Sequence, residues 1–74
     1  MSTWTVVYEK TETGWSAYVP ALPGVGVAGD TRAETEQLVA EAIAFHLEGL
    51  QADGLPLPTP DAVDVGQVEA QLPA

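Results

Sequence analysis

The sequence predicts an α+β fold, in which a β-β-β-α-β chain forms a two-layer sandwich. The amino-terminal part contains three short stretches of strand character, two of which alternate apolar and polar residues as half-buried strands do. A longer stretch then repeats apolar residues every three or four positions, as an amphipathic helix does. A sheet of short strands covered on one face by one helix is the layer arrangement that this order favours.

The first two strands are predicted to form a hairpin. Apolar and polar residues alternate over Thr3–Glu9, where Trp4 is one of the apolar residues, and they alternate again over Trp15–Val19. The polar segment Lys10–Gly14 between them ends in glycine, which suits a turn. Pro20 ends the second strand, because proline has no amide hydrogen to donate to a ladder.

A rigid corner and a third strand lead into the helix. The sequence Pro20–Gly24 contains two prolines and precedes the apolar run Val25–Ala28, which we predict to be the third strand. Thr31 followed by Glu34 matches a capping box, so the helix is predicted to begin at Arg32.

The helix is predicted to extend to about Asp53, with Gly54 at its C′ position and Pro56 blocking continuation. One broad arc of the helix is predicted to face the sheet, and it contains Thr35, Leu38, Val39, Ala42, Ile43, Phe45, His46, Leu47 and Leu50. His46 lies at the centre of this arc, so we expect it to pack between helix and sheet.

The chain after the helix is predicted to be extended. Leu55–Pro60 carries a proline at every second position, which makes a stiff connector. A weak strand pattern follows, so we expect a short edge strand at about residues 62–66 and a looser tail over 67–74. The chain is therefore predicted to be a single domain, 1–74, with its core within about residues 3–66.

The net charge of the chain indicates which class of partner it can bind. The chain has 11 acidic and 2 basic residues among 74, for a formal net charge of -9. Nucleic-acid binding depends on Lys and Arg neutralising phosphates, so direct binding to DNA or RNA is not expected. A basic protein is the partner that such a field favours. The alternative is that the acidic surface only maintains solubility.

No enzyme, cofactor or metal chemistry is predicted. The only histidine, His46, has no nucleophile or ligand set beside it, since Glu41 and Glu48 fall on the opposite side of the helix. The chain lacks cysteine, a leader and a long apolar run, which favours a cytoplasmic protein away from the membrane.

Four sequence blocks, in this order and spacing, resemble the HicB-type antitoxin family. They are V-P-A-L-P-G-V (19–25), G-D-T (29–31), A-I-A-F-H-L-E (42–48) and G-L-P-L-P (54–58). The chain departs from the family at Ala21, where an aspartate is usual, and at Val25, where a cysteine is frequent. It resembles the short form, which lacks the carboxyl-terminal DNA-binding domain.

The resemblance implies a partial ribonuclease H-like fold without a nuclease site. It also implies a partner, a small basic HicA-like toxin that cleaves messenger RNA and whose RNA-binding surface the antitoxin would cover. The alternative is a stand-alone homo-oligomeric domain with a scaffolding or ligand-binding role and no toxin partner. A homo-oligomer, dimer or tetramer, is expected under either interpretation.

Six residues are candidates for partner contact: Tyr8, Glu9, Glu12, Trp15, Tyr18 and Leu22. The aromatic residues are of the type enriched in interface hot spots, although core packing explains Trp15 equally well. The two glutamates would pair with basic side chains of the partner. Leu22 and its flanking prolines would either meet the partner or form a rigid corner, and the sequence leaves both open.

Overall fold

The structure, a computed structural model, describes residues 3–60 and 63–73. Three antiparallel strands precede one helix: β1 (Val7–Lys10), β2 (Trp15–Tyr18), β3 (Gly26–Gly29) and α1 (Arg32–Ala52). The strands lie in the order β1-β2-β3. The predicted α+β class and the order of these four elements are confirmed, whereas the ribonuclease H-like classification stays a prediction.

The register of the sheet fixes which side chains face the helix. Tyr8 lies opposite Ala17, which in turn lies opposite Val27. Residues paired across neighbouring strands share a face, so these three point to the same side, and all three belong to the packed core. The next pair, Val7 and Tyr18, therefore points away from the helix.

The first strand begins later than predicted. The prediction was Thr3–Glu9, but β1 starts at Val7 and continues to Lys10. The reason lies in β2, which leaves the ladder after Tyr18. The amide of Val19 donates to the carbonyl of Val25 at 3.3 Å instead, and the following proline has no amide hydrogen.

The block between β2 and β3 is a folded corner. The amide of Leu22 donates to the Val19 carbonyl at 3.0 Å, and the amide of Val25 donates to the Leu22 carbonyl at 3.1 Å. Gly24 has a φ of 93°, a left-handed conformation that glycine adopts without steric cost. Leu22 is 0% exposed, so this corner contributes a side chain to the hydrophobic core.

The amino-terminal end of α1 is capped as predicted. The Thr31 hydroxyl oxygen accepts a hydrogen bond from the amide of Glu34 at 3.1 Å. The hydroxyl of Thr35, which is fully buried, donates to the Thr31 carbonyl at 2.8 Å. The first bond satisfies an amide that has no partner inside the helix, and the second satisfies a buried hydroxyl.

The carboxyl-terminal end of α1 forms a Schellman motif. Gly54, at C′, has a φ of 68° and donates to the Gln51 carbonyl at 3.1 Å, while Leu55 donates to the Leu50 carbonyl at 2.9 Å. The predicted C′ role of Gly54 is confirmed.

The core is small and lies between α1 and the sheet. Its buried hydrophobic residues are Ala17, Val19, Leu22, Val25 and Val39. The prediction that Phe45 faces the sheet is wrong, because Phe45 is 80% exposed. It follows buried Val39 by six positions, which at 3.6 residues per turn places it about 120° around the helix.

The predicted fourth strand is not formed in the residues that the structure describes. The prediction covered about 62–66, of which residue 62 lies outside the described residues, and residues 63–73 are not in a strand. A strand depends on hydrogen bonds to a neighbour. Residues 63–73 are not paired to any of β1–β3.

Candidate functional site

One face of the sheet is left uncovered by α1. We call it the open face; Gly26 lies on it without a side chain, and its side chains come from Val7, Glu9, Ser16, Tyr18 and Ala28. Tyr18 is 44% exposed, and its neighbour across the strands is Val7. The open face therefore presents an aromatic ring beside an apolar side chain, bordered by the exposed carboxylate of Glu9.

The hairpin turn holds a second carboxylate at the end of β1. The Thr11 amide donates to the Gly14 carbonyl at 2.9 Å, and the Gly14 amide donates to the Thr11 hydroxyl at 3.0 Å. A β-carbon at Gly14 would collide with the carbonyl of Gly29, so only glycine fits there. The closed turn keeps Glu12 exposed beyond the strand ends.

The structure brings only part of the predicted contact set together. Glu9 and Tyr18 share the open face, and Glu12 lies in the adjoining turn. Tyr8 and Trp15 alternate with them and point to the helix side, where both are half-buried. Leu22 is fully buried, so its interpretation as a contact residue is corrected to that of a core residue.

Tyr8 has a structural partner on the helix side. The guanidinium carbon of Arg32 lies 4.3 Å from the centre of the Tyr8 ring, within the range of a cation–π interaction. The same guanidinium lies 3.8 Å from the carboxylate of Glu36, and both side chains are about half-exposed. Arg32 thus links β1 to the first turns of the helix.

A second surface feature, which the sequence analysis missed, is a groove between β1 and α1. We call it the β1–α1 groove. Its volume is about 540 Å³ and it is lined by Trp4, Val6, Tyr8, Glu36, Val39, Ala40, Ile43, Ala44 and Leu47. The groove exists because α1 packs over β3 and β2 and only marginally over β1. The sequence signal for this groove is the pair Ala40 and Ala44, two small residues one helical turn apart.

The chain's one histidine lies on the carboxyl-terminal half of α1. His46 is half-buried and lines a shallow depression on the carboxyl-terminal half of α1, together with Phe45 and Leu50. Among residues 3–60 and 63–73, no three His, Asp or Glu side chains converge on a point where a metal ion would fit. Within the same residues, no helix has both the length and the apolar character needed to cross a bilayer.

Comparison with known families decides the classification. The family model for the HicB-like antitoxin of bacterial toxin-antitoxin systems matches residues 4–72, nearly the whole chain. The chain belongs to the HicB-like antitoxin family.

Curated relatives agree with this assignment. A UPF0150 protein of Synechocystis is 38% identical over 61 residues, which cover 81% of this chain and 77% of that protein. The protein named Antitoxin HicB 2 of Photorhabdus laumondii is 30% identical over 69 residues, 93% of this chain and 48% of that protein. A protein of Haemophilus phage HP1 is 37% identical over 59 residues, 80% of this chain and 44% of that protein. The chain thus spans about half the length of two of these three relatives.

A solved structure shares the fold. It is described as a HicA3 and HicB3 toxin-antitoxin complex, and the matched chain is 36% identical with a TM-score of 0.62. The alignment covers 76% of this chain and 69% of that chain. The three-stranded sheet and single helix are therefore the fold of a HicB-like antitoxin.

Proposed function

We propose that this HicB-like chain binds a small basic HicA-type toxin through its open face and neutralises it by covering the surface with which the toxin binds RNA. The observation that carries the proposal is the exposed Tyr18, which shares with Glu9 a sheet face that no element among residues 3–60 and 63–73 covers. The family assignment and the resemblance to a chain of a toxin–antitoxin complex support the same partner class.

Electrostatics supports a basic partner. With a net charge of -9, the chain attracts a protein that carries Lys and Arg for RNA binding, and it repels RNA itself. Glu9 and Glu12 are exposed at one end of the open face, where they would meet such side chains directly. The antitoxin would then compete with RNA for one basic surface, because both offer negative charge.

The open face also provides an anchor for affinity. Interface hot spots are rich in tyrosine, because a large rigid ring buries much area at little entropic cost. Tyr18 stands on a strand whose backbone is hydrogen-bonded on both sides, so its position is set before the partner arrives. Of the other candidates, Tyr8 and Trp15 would take part only through a surface that wraps round to the helix side.

The experiment is a calorimetric titration of the chain into the product of its neighbouring gene, with RNA cleavage measured in the same mixtures. The proposal predicts saturable binding and loss of cleavage at the same stoichiometry. Binding without any loss of cleavage would reject occlusion of the RNA-binding surface. If the toxin is folded and active but does not bind, the stand-alone homo-oligomeric interpretation takes its place.

A further inference from the structure

The sheet edge formed by β3 lacks the features that usually keep strand edges from pairing. Among residues 3–60 and 63–73, no strand lies beyond β3. Its four residues, G-V-A-G, include neither a charge nor a proline, which are the common barriers to pairing between edges. The opposite edge strand, β1, carries Glu9 and Lys10. The edge of β3 is therefore the one that is suited to accept another strand.

The backbone of β3 directs alternate residues toward this edge. The amide of Val19 donates to the Val25 carbonyl at 3.3 Å, which marks the two as a hydrogen-bonded pair beside the β2–β3 ladder. Hydrogen-bonded pairs alternate along an antiparallel ladder, so Val27 turns its backbone polar groups to β2, whereas Gly26 and Ala28 turn theirs outward. A further strand can thus pair with Gly26 and Ala28 without disturbing the bonds between β2 and β3.

The side of α1 above this edge is apolar. The residues of α1 that line the β1–α1 groove lie on one side of Val39, and at 3.6 residues per turn the opposite side carries a second set. The groove faces β1, so this second side faces the edge of β3. We call it the β3-side flank, and it consists of Leu38, Ala42, Phe45 and Gly49. Phe45 is 80% exposed there.

The β3-side flank has the spacing of a seam between two helices. Its residues follow one another at intervals of four, three and four, as in the heptad pattern of helices that pack side by side. Large Leu38 and Phe45 alternate with small Ala42 and Gly49, so two antiparallel flanks can interdigitate. A β-carbon at Gly49 would meet no atom within 4 Å, which leaves space there for a large side chain from outside.

Charge indicates a second copy of the chain as the occupant of this surface. With a net charge of -9, two copies repel each other wherever their acidic side chains meet. Neither β3 nor the β3-side flank contains a charged residue, because Glu41 and Glu48 lie on the outer side of α1 and Glu36 lines the groove. A basic protein would instead be drawn to the carboxylates elsewhere on the chain.

We propose that two copies associate about a twofold axis beside β3, with their β3 strands paired antiparallel and their β3-side flanks packed together. Pairing centred on Val27 keeps Val27 of both copies on the helix side. It places Gly26 of one copy opposite Ala28 of the other, where the outward backbone groups form hydrogen bonds in both directions. The dimer leaves both open faces uncovered, so this inference goes beyond the proposed toxin binding and does not depend on it.

Light scattering on the full chain without any partner tests the proposal. It predicts a dimer whose dissociation constant rises at least tenfold with Phe45→Glu, which brings like charges together on the flank. Ala44→Glu places the same charge on the groove side of α1 and is the matched control, which should leave the dissociation constant unchanged. A monomeric parent chain, a dimer unaffected by Phe45→Glu, or equal weakening by the two variants would overturn the proposal.

The strand contact has its own variant. Ala28→Pro removes an outward amide while sparing the ladder to β2, so it should also raise the dissociation constant at least tenfold with the circular dichroism of the parent. Ala28→Ser keeps the amide and should dimerise like the parent. A folded Ala28→Pro chain that dimerises as tightly as Ala28→Ser would overturn the pairing of β3 strands.

Engineered cysteines test which residues meet, since the chain has no cysteine of its own. Opposed residues of a hydrogen-bonded antiparallel pair have Cα atoms about 5.5 Å apart, within the range of a disulfide. A chain with Gly26→Cys mixed with one carrying Ala28→Cys should form a covalent heterodimer on mild oxidation. The control replaces Gly26→Cys with Glu9→Cys, which lies on the open face but at the far edge. Equal cross-linking in the two mixtures would overturn the proposal.

Discussion

The guanidinium carbon of Arg32, the first residue of α1, lies 4.3 Å from the centre of the Tyr8 ring in β1. This contact ties the edge strand to the helix at one end of the β1–α1 groove. A cation–π pair at a partly exposed site contributes about 0.5–1 kcal/mol. A double-mutant cycle with Arg32→Gln and Tyr8→Leu, followed by urea unfolding, should return a coupling free energy of that size. Glu36→Gln removes only the exposed ion pair of Arg32, so it should lower the free energy of unfolding by less than Arg32→Gln does. A coupling free energy of zero in the cycle would contradict the contact between Arg32 and Tyr8.

Thr31 stabilises the start of the helix through its hydroxyl. Thr31→Ala removes the acceptor for the Glu34 amide, so the free energy of unfolding should fall by about 1 kcal/mol. Urea unfolding measures it, with Thr59→Ala in the connector as a control that should change little, because Thr59 is exposed. Equal effects of the two substitutions would reject the capping role.

A substitution at Leu22 distinguishes a structural role of the corner between β2 and β3 from a role in partner contact. Leu22→Ala should cost about 2–5 kcal/mol, because it leaves a cavity where a fully buried side chain was. In a small domain that loss approaches the whole free energy of unfolding, so we expect a largely unfolded protein by circular dichroism. Leu55→Ala, at a half-exposed position, is the control. A stable Leu22→Ala protein with weakened partner binding would instead favour the contact interpretation.

Tyr18 is expected to anchor the toxin. Tyr18→Ala should weaken binding at least tenfold, which corresponds to about 1.4 kcal/mol, and should leave the fold intact because the ring is 44% exposed. Phe45→Ala removes an even more exposed aromatic ring from the outer side of α1 and should leave the affinity unchanged. Calorimetry with both variants measures the two affinities for the toxin. A larger loss of affinity from Phe45→Ala than from Tyr18→Ala would indicate that the interface lies on the helix.

Glu9 and Glu12 are expected to act on the rate of association. Glu9→Lys with Glu12→Lys should slow association with the basic partner several-fold at low ionic strength, since rim charges steer the encounter. Glu41→Lys with Glu48→Lys changes the net charge by the same amount on the helix, so it is the matched control. Stopped-flow measurements should show the difference shrinking with added salt. Equal slowing by both pairs would mean that only the net charge matters.

Local signals made the helix and the hairpin predictable. Thr31 and Gly54 have roles set by a few neighbouring residues, and the structure places each where the sequence predicted. The turn ending at Gly14 is of the same kind, because its hydrogen bonds stay within the turn.

Features that depend on distant parts of the chain were harder to predict. The start of β1 depends on where β2 turns away at Val19, which the pattern of β1 alone does not contain. Phe45 fits the apolar arc by composition, but α1 meets the sheet along a narrower stripe centred near Val39. Strand alternation places Tyr8 and Tyr18 on two different faces, whereas residue type alone makes both of them contact candidates.

Amide chemical shifts of the isotope-labelled chain, recorded during titration with the basic toxin, test the central claim most directly. The account predicts that shifts concentrate on the open face, at Val7, Glu9, Ser16, Tyr18 and Ala28, and in the turn around Glu12. Shifts confined to α1 and the β1–α1 groove, or a spectrum unchanged by a folded and active toxin, would contradict it.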